Sequence, residues 1–112
     1  MCLSPHCEVF GSGTDLHDHP FVTNGQAILQ DKASCFPAHV LNPAKDSHVI
    51  DACAAPGNKT SHAAARMGGG GQVYAFEVNP RRCKLLKARM KVSGAQNVSP
   101  MIQDFLEVSA LP

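Results

Sequence analysis

The sequence predicts an α/β fold built on a parallel sheet, and three observations carry that prediction. Short apolar runs alternate with longer amphipathic ones, in the order strand, helix, strand, helix, strand, between residues 47 and 103. Each strand-like run passes into its helix through residues suited to a tight loop or a cap. The helices between them are crossovers, which makes neighbouring strands parallel and the connections right-handed.

The elements follow in order. Met1 to Thr23 holds Pro5, Gly11, Gly13 and Pro20 with little periodicity, so residues 1–24 read as an irregular N-terminal segment and residues 25–112 as a partial α/β domain. Ala27-Ile28-Leu29 is a short strand or turn candidate. Lys32 to Leu41 is a helix candidate with Pro37 inside it, stopped by Asn42-Pro43. Ser47 to Cys53 reads as a buried strand, and Asn58 to Met67 as a helix with Thr60 and Ser61 in its first turn. The glycines from Gly68 to Gly71 end that helix. Gln72 to Val78 forms the second strand; Asn79 caps the next helix, and Pro80 takes its first position, where a missing N–H costs nothing. Cys83, Leu86, Met90 and Leu85 supply its apolar face, Gly94 closes it, and Val98 to Gln103 is the third strand.

A chain of 112 residues with 44% hydrophobic residues can bury one modest core. Ten Lys and Arg against nine Asp and Glu give a net charge of +1, so overall charge does not argue for a polyanionic partner. Locally, Arg81, Arg82, Lys84, Lys87, Arg89 and Lys91 gather on one helix, either as a solvated face or as phosphate contacts. No apolar run approaches the roughly 18 to 20 residues of a membrane span, and the start lacks the regions of a signal peptide, so a soluble intracellular protein is expected. Five irregularly spaced cysteines point to reduced thiols, and Cys53 and Cys83 read as buried structural ones. Cys2, His6, Cys7, His17 and His19 match no common zinc spacing, so no metal site is expected.

The chemistry concentrates in Asp51-Ala-Cys-Ala-Ala-Pro-Gly-Asn-Lys-Thr60, which lies between a strand and a helix start. Ligands in such sheets bind beyond the carboxyl ends of the strands, where loop N–H groups and the helix N-terminus converge. Gly57 permits close approach or positive φ, Pro56 stiffens the turn, and small Ala54 and Ala55 leave room for a ligand. Glu77 ends the second strand, at a spacing comparable to the roughly 20 residues that separate such a loop from a ribose-binding acid. Asp104 follows the third strand and either accepts from an adenine amino group or caps its own loop. A phosphate-binding P-loop is excluded: aligning Lys59-Thr60 with that motif puts Asn58 and Cys53 where its glycines belong.

The run from Asp51 to His62 resembles the cofactor loop of the Nop/Sun (RsmB-like) S-adenosylmethionine-dependent RNA cytosine-5 methyltransferases. The likeness extends upstream through Gln30-Asp-Lys-Ala-Ser-Cys35 and downstream through Glu77 and Asp104, covering about Thr14 to Val108. Asn58, where most members have glycine, and Thr14-Asp-Leu-His-Asp-His-Pro20 are similar to the subgroup acting on large-subunit ribosomal RNA. The resemblance implies a Rossmann-like methyltransferase sheet whose first three strands lie in the order 3-2-1. It also implies that Cys53, Ala54, Ala55, Pro56, Gly57, Asn58 and Lys59 wrap the methionine part of S-adenosylmethionine. Glu77, replacing a more usual Asp, would hold the ribose, and Asp104 would lie on the adenine side. RNA, ribosomal by the same likeness, is the implied partner, and the nucleus or nucleolus the implied location.

That family's reaction uses a cysteine thiolate adding to C6 of cytosine and a second cysteine in product release. Both follow later strands, in Pro-Cys and Thr-Cys contexts; this chain's cysteines stand in neither, so no catalytic residue is assigned. The expectation is therefore the cofactor-binding part of such an enzyme, inactive alone, with the strand at Val49 open to a chain supplying further strands. A non-catalytic cofactor- or RNA-binding remnant and a structural interaction module remain as alternatives.

Overall fold

The computed structural model of the chain describes residues 8–109. Three strands, β1 (His48–Asp51), β2 (Gln72–Glu77) and β3 (Val98–Ile102), form one parallel sheet in the order β1-β2-β3. The crossovers are α3 (Asn58–Arg66) and α4 (Pro80–Val92), preceded in the chain by α1 (Pro20–Thr23) and α2 (Lys32–Leu41). The architecture is a Rossmann-like α/β sheet with flanking helices, as the alternating pattern predicts.

The pleat sorts side chains onto two faces. Val49 pairs in register with Val73, and Val73 with Val98, which directs all three to one side. There Val49 and Val73 meet Ala64 and Met67 from the α3 end, while Ala75 meets Leu86 and Met90 of α4. Both crossover helices therefore cover the same face, and the core lies between them and the sheet. On the other face His48 stacks on Tyr74 with ring centroids 5.9 Å apart, Gln72 donates to Ser99 at 2.9 Å, and Ile50 is 44% exposed. Phe105, from the 3-10 turn Phe105–Glu107, covers part of that face by packing edge-on against Phe76.

Local signals set the boundaries. The Asn79 side chain accepts from the backbone N–H groups of Arg81 and Arg82 at 2.9 and 3.2 Å, with Pro80 at the first helical position, so α4 starts where its cap dictates. Asp31 caps α2 by accepting from the Ser34 N–H at 2.9 Å. Pro37 sits inside α2 and is tolerated on its exposed side, at the loss of one backbone donor. Pro100 lies in β3, which has a single neighbouring strand among the described residues, where a missing ladder donor is least costly.

Three details sharpen or differ from expectation. Of the strand and turn alternatives, Ala27-Ile28-Leu29 forms no strand: the Ala27 N–H turns back to the Phe21 carbonyl at 2.7 Å instead of joining the sheet. β1 stops at Asp51, because the chain turns there and the Cys53 N–H bonds Asp51 Oδ1 at 3.3 Å. The N-terminal stretch carries the one helical turn of α1, whose following Gly25 rests against the end of α4: a Cβ there would lie 2.5 Å from the Val92 carbonyl oxygen. Cys2, His6 and Cys7 lie outside the described residues.

Candidate functional site

The loop between β1 and α3 is anchored from below. Ala54 and Ala55 are 4% and 6% exposed and belong to the core cluster of Ala75, Leu86 and Met90. The Ala54 N–H bonds the Phe76 carbonyl at 2.9 Å, which ties the loop to β2 after β1 has ended. Gly57 precedes α3 with φ of 110°, and a side chain there would strike Leu86 Cδ1 and Met90 Cε, each at 2.8 Å. The positive φ calls for glycine, and the side-chain ends of Leu86 and Met90 would have to shift for anything larger.

Thr60 and Asp51 brace the loop from within. Fully buried Thr60 shares its hydroxyl between Asp51 Oδ2 at 2.7 Å and the Ala54 carbonyl at 3.2 Å. Since Asp51 also accepts from the Cys53 N–H, one carboxylate ties both ends of the turn. Cys53 is exposed, correcting its reading as a buried structural thiol: the turn at Asp51 directs its side chain outward. Cys83 is buried.

Glu77 ends β2, and its side chain is 3% exposed. Its Oε1 accepts from the Asn79 N–H at 2.9 Å and its Oε2 lies 3.3 Å from Arg82 Nη1. Arg82 Nη2 donates in turn to the Ala55 carbonyl at 2.7 Å, so one guanidinium joins the acid to the loop. The structure thus brings Glu77 and the segment from Cys53 to Gly57 together beyond the carboxyl ends of β1 and β2.

The remaining candidates diverge. Asp104 follows β3 and is exposed; its Oδ1 accepts from the Leu106 N–H at 2.9 Å, which is the loop-capping alternative. Lys59 reaches away from the loop and donates to Ser34 Oγ at 3.0 Å. Asn58 donates to the Leu29 carbonyl at 3.4 Å and accepts from Arg89 at 2.5 Å. Arg82 and Arg89, two of the basic residues of α4, are exposed and also bond inward, Arg82 to the Ala55 carbonyl and Arg89 to Asn58 at the start of α3. The available signal for Arg82 was its position in the first turn of a helix that begins directly after Glu77. Among the described residues no group of three or more His, Cys, Asp or Glu could hold a metal ion, and no helix is long and apolar enough to cross a membrane.

With this geometry established, comparison with known proteins is decisive. The family model for the 16S rRNA methyltransferase RsmB/F matches residues 38–111, which include β1 to β3 and the whole loop. The chain belongs to the RsmB/F methyltransferase family. Among curated relatives, a mouse 28S rRNA (cytosine-C(5))-methyltransferase is 47% identical over 107 residues, covering 96% of this chain and 23% of its own length. The Arabidopsis thaliana 25S rRNA (cytosine-C(5))-methyltransferase NSUN5 is 47% identical over 102 residues, covering 91% of the chain and 18% of its own length. The chain therefore spans about a quarter or less of these relatives. The crystal structure of NSun6 from Pyrococcus horikoshii with SFG superposes with a TM-score of 0.76 at 30% identity, over 81% of this chain and 24% of that one. A methyltransferase homologue from the same organism gives 0.78 at 30% identity, over 84% and 31%. An RsmB/F domain accounts for the parallel sheet with its flanking helices.

Proposed function

We propose that this chain forms the S-adenosylmethionine-binding part of an RNA cytosine-5 methyltransferase acting on ribosomal RNA. The observation that carries the reading is the joining of Glu77 to the Ala54–Gly57 loop through Arg82, beyond the ends of β1 and β2. The residues fit the cofactor in kind. Ala54, Ala55 and Gly57 are buried on the core side, and Ala52, Cys53 and Pro56 are the exposed residues of the turn. An ionised carboxylate offers about four lone-pair positions. Glu77 uses two of them, one for Asn79 and one for Arg82, and keeps capacity for a ribose diol.

Bound there, S-adenosylmethionine would supply an electrophilic sulfonium methyl. This chain's residues would hold it: Cys53 to Gly57 around the methionine part, Glu77 on the ribose and Asp104 on the adenine side, while Asn58 and Lys59 bond Leu29, Arg89 and Ser34 instead. The test is calorimetric titration of S-adenosylmethionine into the chain and into Glu77→Ala. Loss of charge-assisted hydrogen bonds, at about 1.5–3 kcal/mol each, lowers affinity at least tenfold in the variant. Absence of heat with the unaltered chain rejects the reading.

RNA would meet the basic face of α4. With Arg82 and Arg89 engaged elsewhere, Arg81, Lys84, Lys87 and Lys91 remain exposed on it. Lys84→Glu with Lys87→Glu should weaken binding of a ribosomal RNA fragment and reduce its log–log salt slope by about 1.4, two phosphate contacts at roughly 0.7 each. An unchanged slope in filter binding removes this face from the interface. The nucleolus is the compartment that such a substrate implies.

A further inference from the structure

Asn58 is the first residue of α3, and its side chain does something no helix start requires. Its Nδ2 donates to the Leu29 carbonyl at 3.4 Å, and its Oδ1 accepts from Arg89 Nη1 at 2.5 Å. The first bond reaches the segment ahead of α2 and the second the last turn of α4. One amide, beside the turn at Gly57, therefore holds two segments far apart in sequence. Between them lies a cavity of about 370 Å³ lined by Ile28, Leu29, Asn58, Arg89 and Met90 among others. The segment packs on α4 where Gly25 meets Val92, and across the cavity itself the polar bridge joins them.

A neighbouring network makes the arrangement directional. Lys59 donates to Ser34 Oγ at 3.0 Å, and that hydroxyl donates to Asp31 Oδ2 at 2.9 Å, within the cap of α2. This second tie fixes the start of α2 to α3 without involving α4. Asn58 alone connects the upstream segment and α4 at the same point, and α4 in turn supports Ala54, Ala55 and Gly57 through Leu86 and Met90.

We infer that Asn58 is a positioning residue, whose amide clamps Leu29 to Arg89 and so fixes the Cys53–Gly57 loop in one shape before any ligand arrives. The consequence for affinity rests on the cofactor reading above; the clamp itself does not. Two bonded amides report on it separately: Ala27, bonded to Phe21, for the upstream segment, and Ala54, bonded to Phe76, for the loop. Val73, bonded to Asn97 at 2.8 Å, serves as the sheet control.

The experiment is residue-resolved hydrogen exchange of the ligand-free full chain, as wild type, Asn58→Ala, Asn58→Asp, Arg89→Met and the Asn58→Ala/Arg89→Met double variant. Asn58→Ala is expected to speed exchange at Ala27 and Ala54 about fivefold or more, the loss of roughly one net hydrogen bond, with Val73 unchanged. The double variant should open Ala54 no further than Asn58→Ala does, because a single clamp is broken in both. Asn58→Asp keeps an acceptor for Arg89 but lacks the donor to Leu29, so the clamp is half broken and Ala27 and Ala54 should both open, Ala54 less than in Asn58→Ala. S-adenosylmethionine should then bind Asn58→Ala more weakly than wild type, by up to about fivefold, and Asn58→Asp with a smaller loss.

Unchanged exchange at Ala27 and Ala54 in Asn58→Ala overturns the clamp, as does an equal rise at Val73, which would mark plain destabilisation. Weaker binding with Ala54 unchanged also overturns it, by making Asn58 a direct ligand. If exchange follows the expected pattern but wild type binds no S-adenosylmethionine, the clamp stands and the cofactor reading falls.

Discussion

The two partners of the Glu77–Arg82 pair should not be equivalent to mutation, because they differ in access to water. The Glu77 side chain is 3% exposed and that of Arg82 57%. Arg82→Met keeps most of the aliphatic stem but leaves a buried carboxylate with the Asn79 N–H as its remaining partner, and removes the donor to the Ala55 carbonyl. Breaking a fully buried pair from one side costs about 3–5 kcal/mol, and an exposed pair about 0–1. A pair with one partner in water falls between, and with the Ala55 bond the loss is about 2–3 kcal/mol. For a domain near this size that lowers the melting temperature by roughly 10 °C or more. Glu77→Gln instead removes the buried charge, keeps an acceptor for Asn79 and frees Arg82 to hydrate, at a cost of about 1 kcal/mol. Urea denaturation of both variants at neutral pH compares them directly. If Glu77→Gln costs as much as Arg82→Met, the asymmetry argument is wrong and the guanidinium is not the compensation for a buried charge.

Two further outcomes are expected. Gly57→Ala combines a left-handed backbone, about 1–2 kcal/mol for an L-residue, with displacement of the Leu86 and Met90 side-chain ends, so a loss of about 2–4 kcal/mol is anticipated; a urea midpoint near wild type would mean that the loop relaxes freely. Burial, then the neighbouring Arg66 and His39, hold the His62 imidazole below its ordinary value of 6.5, so the unfolded chain binds that proton more readily. Stability should therefore be level above about pH 6.5 and decline as the pH falls below it. His62→Gln should flatten that limb of a stability-versus-pH curve, and an unaltered limb would assign it to another group.

How far the sequence anticipates the molecule depends on the range of the forces involved. α4 starts where Asn79 and Pro80 predict and α3 ends at the glycine run, because capping and positive φ are decided within a few residues. Cys83, Leu86 and Met90 are buried as the helical period requires, while Leu85 is 47% exposed because it turns out of that stripe. Position at strand ends likewise sufficed to bring the loop and Glu77 to one side of the sheet. What stayed hidden is long in sequence and short in space. Arg82 to Ala55 and Arg89 to Asn58 are bonds between helix and loop that no local pattern encodes. Ala27-Ile28-Leu29 looked strand-like by residue type, but its backbone found a partner in Phe21 before it could reach a sheet edge.

Pro100 has a consequence for how this sheet can associate. A strand containing proline cannot offer an unbroken row of donors to two neighbours, whereas β1, from His48 to Asp51, contains none. The two borders of the sheet are therefore unequal as templates, and Ile50, exposed on β1, adds an apolar contact to the more receptive one. Growth of the sheet is polarised: whatever strand joins it, from elsewhere in a longer polypeptide or from a second molecule at high concentration, meets the lower barrier at β1.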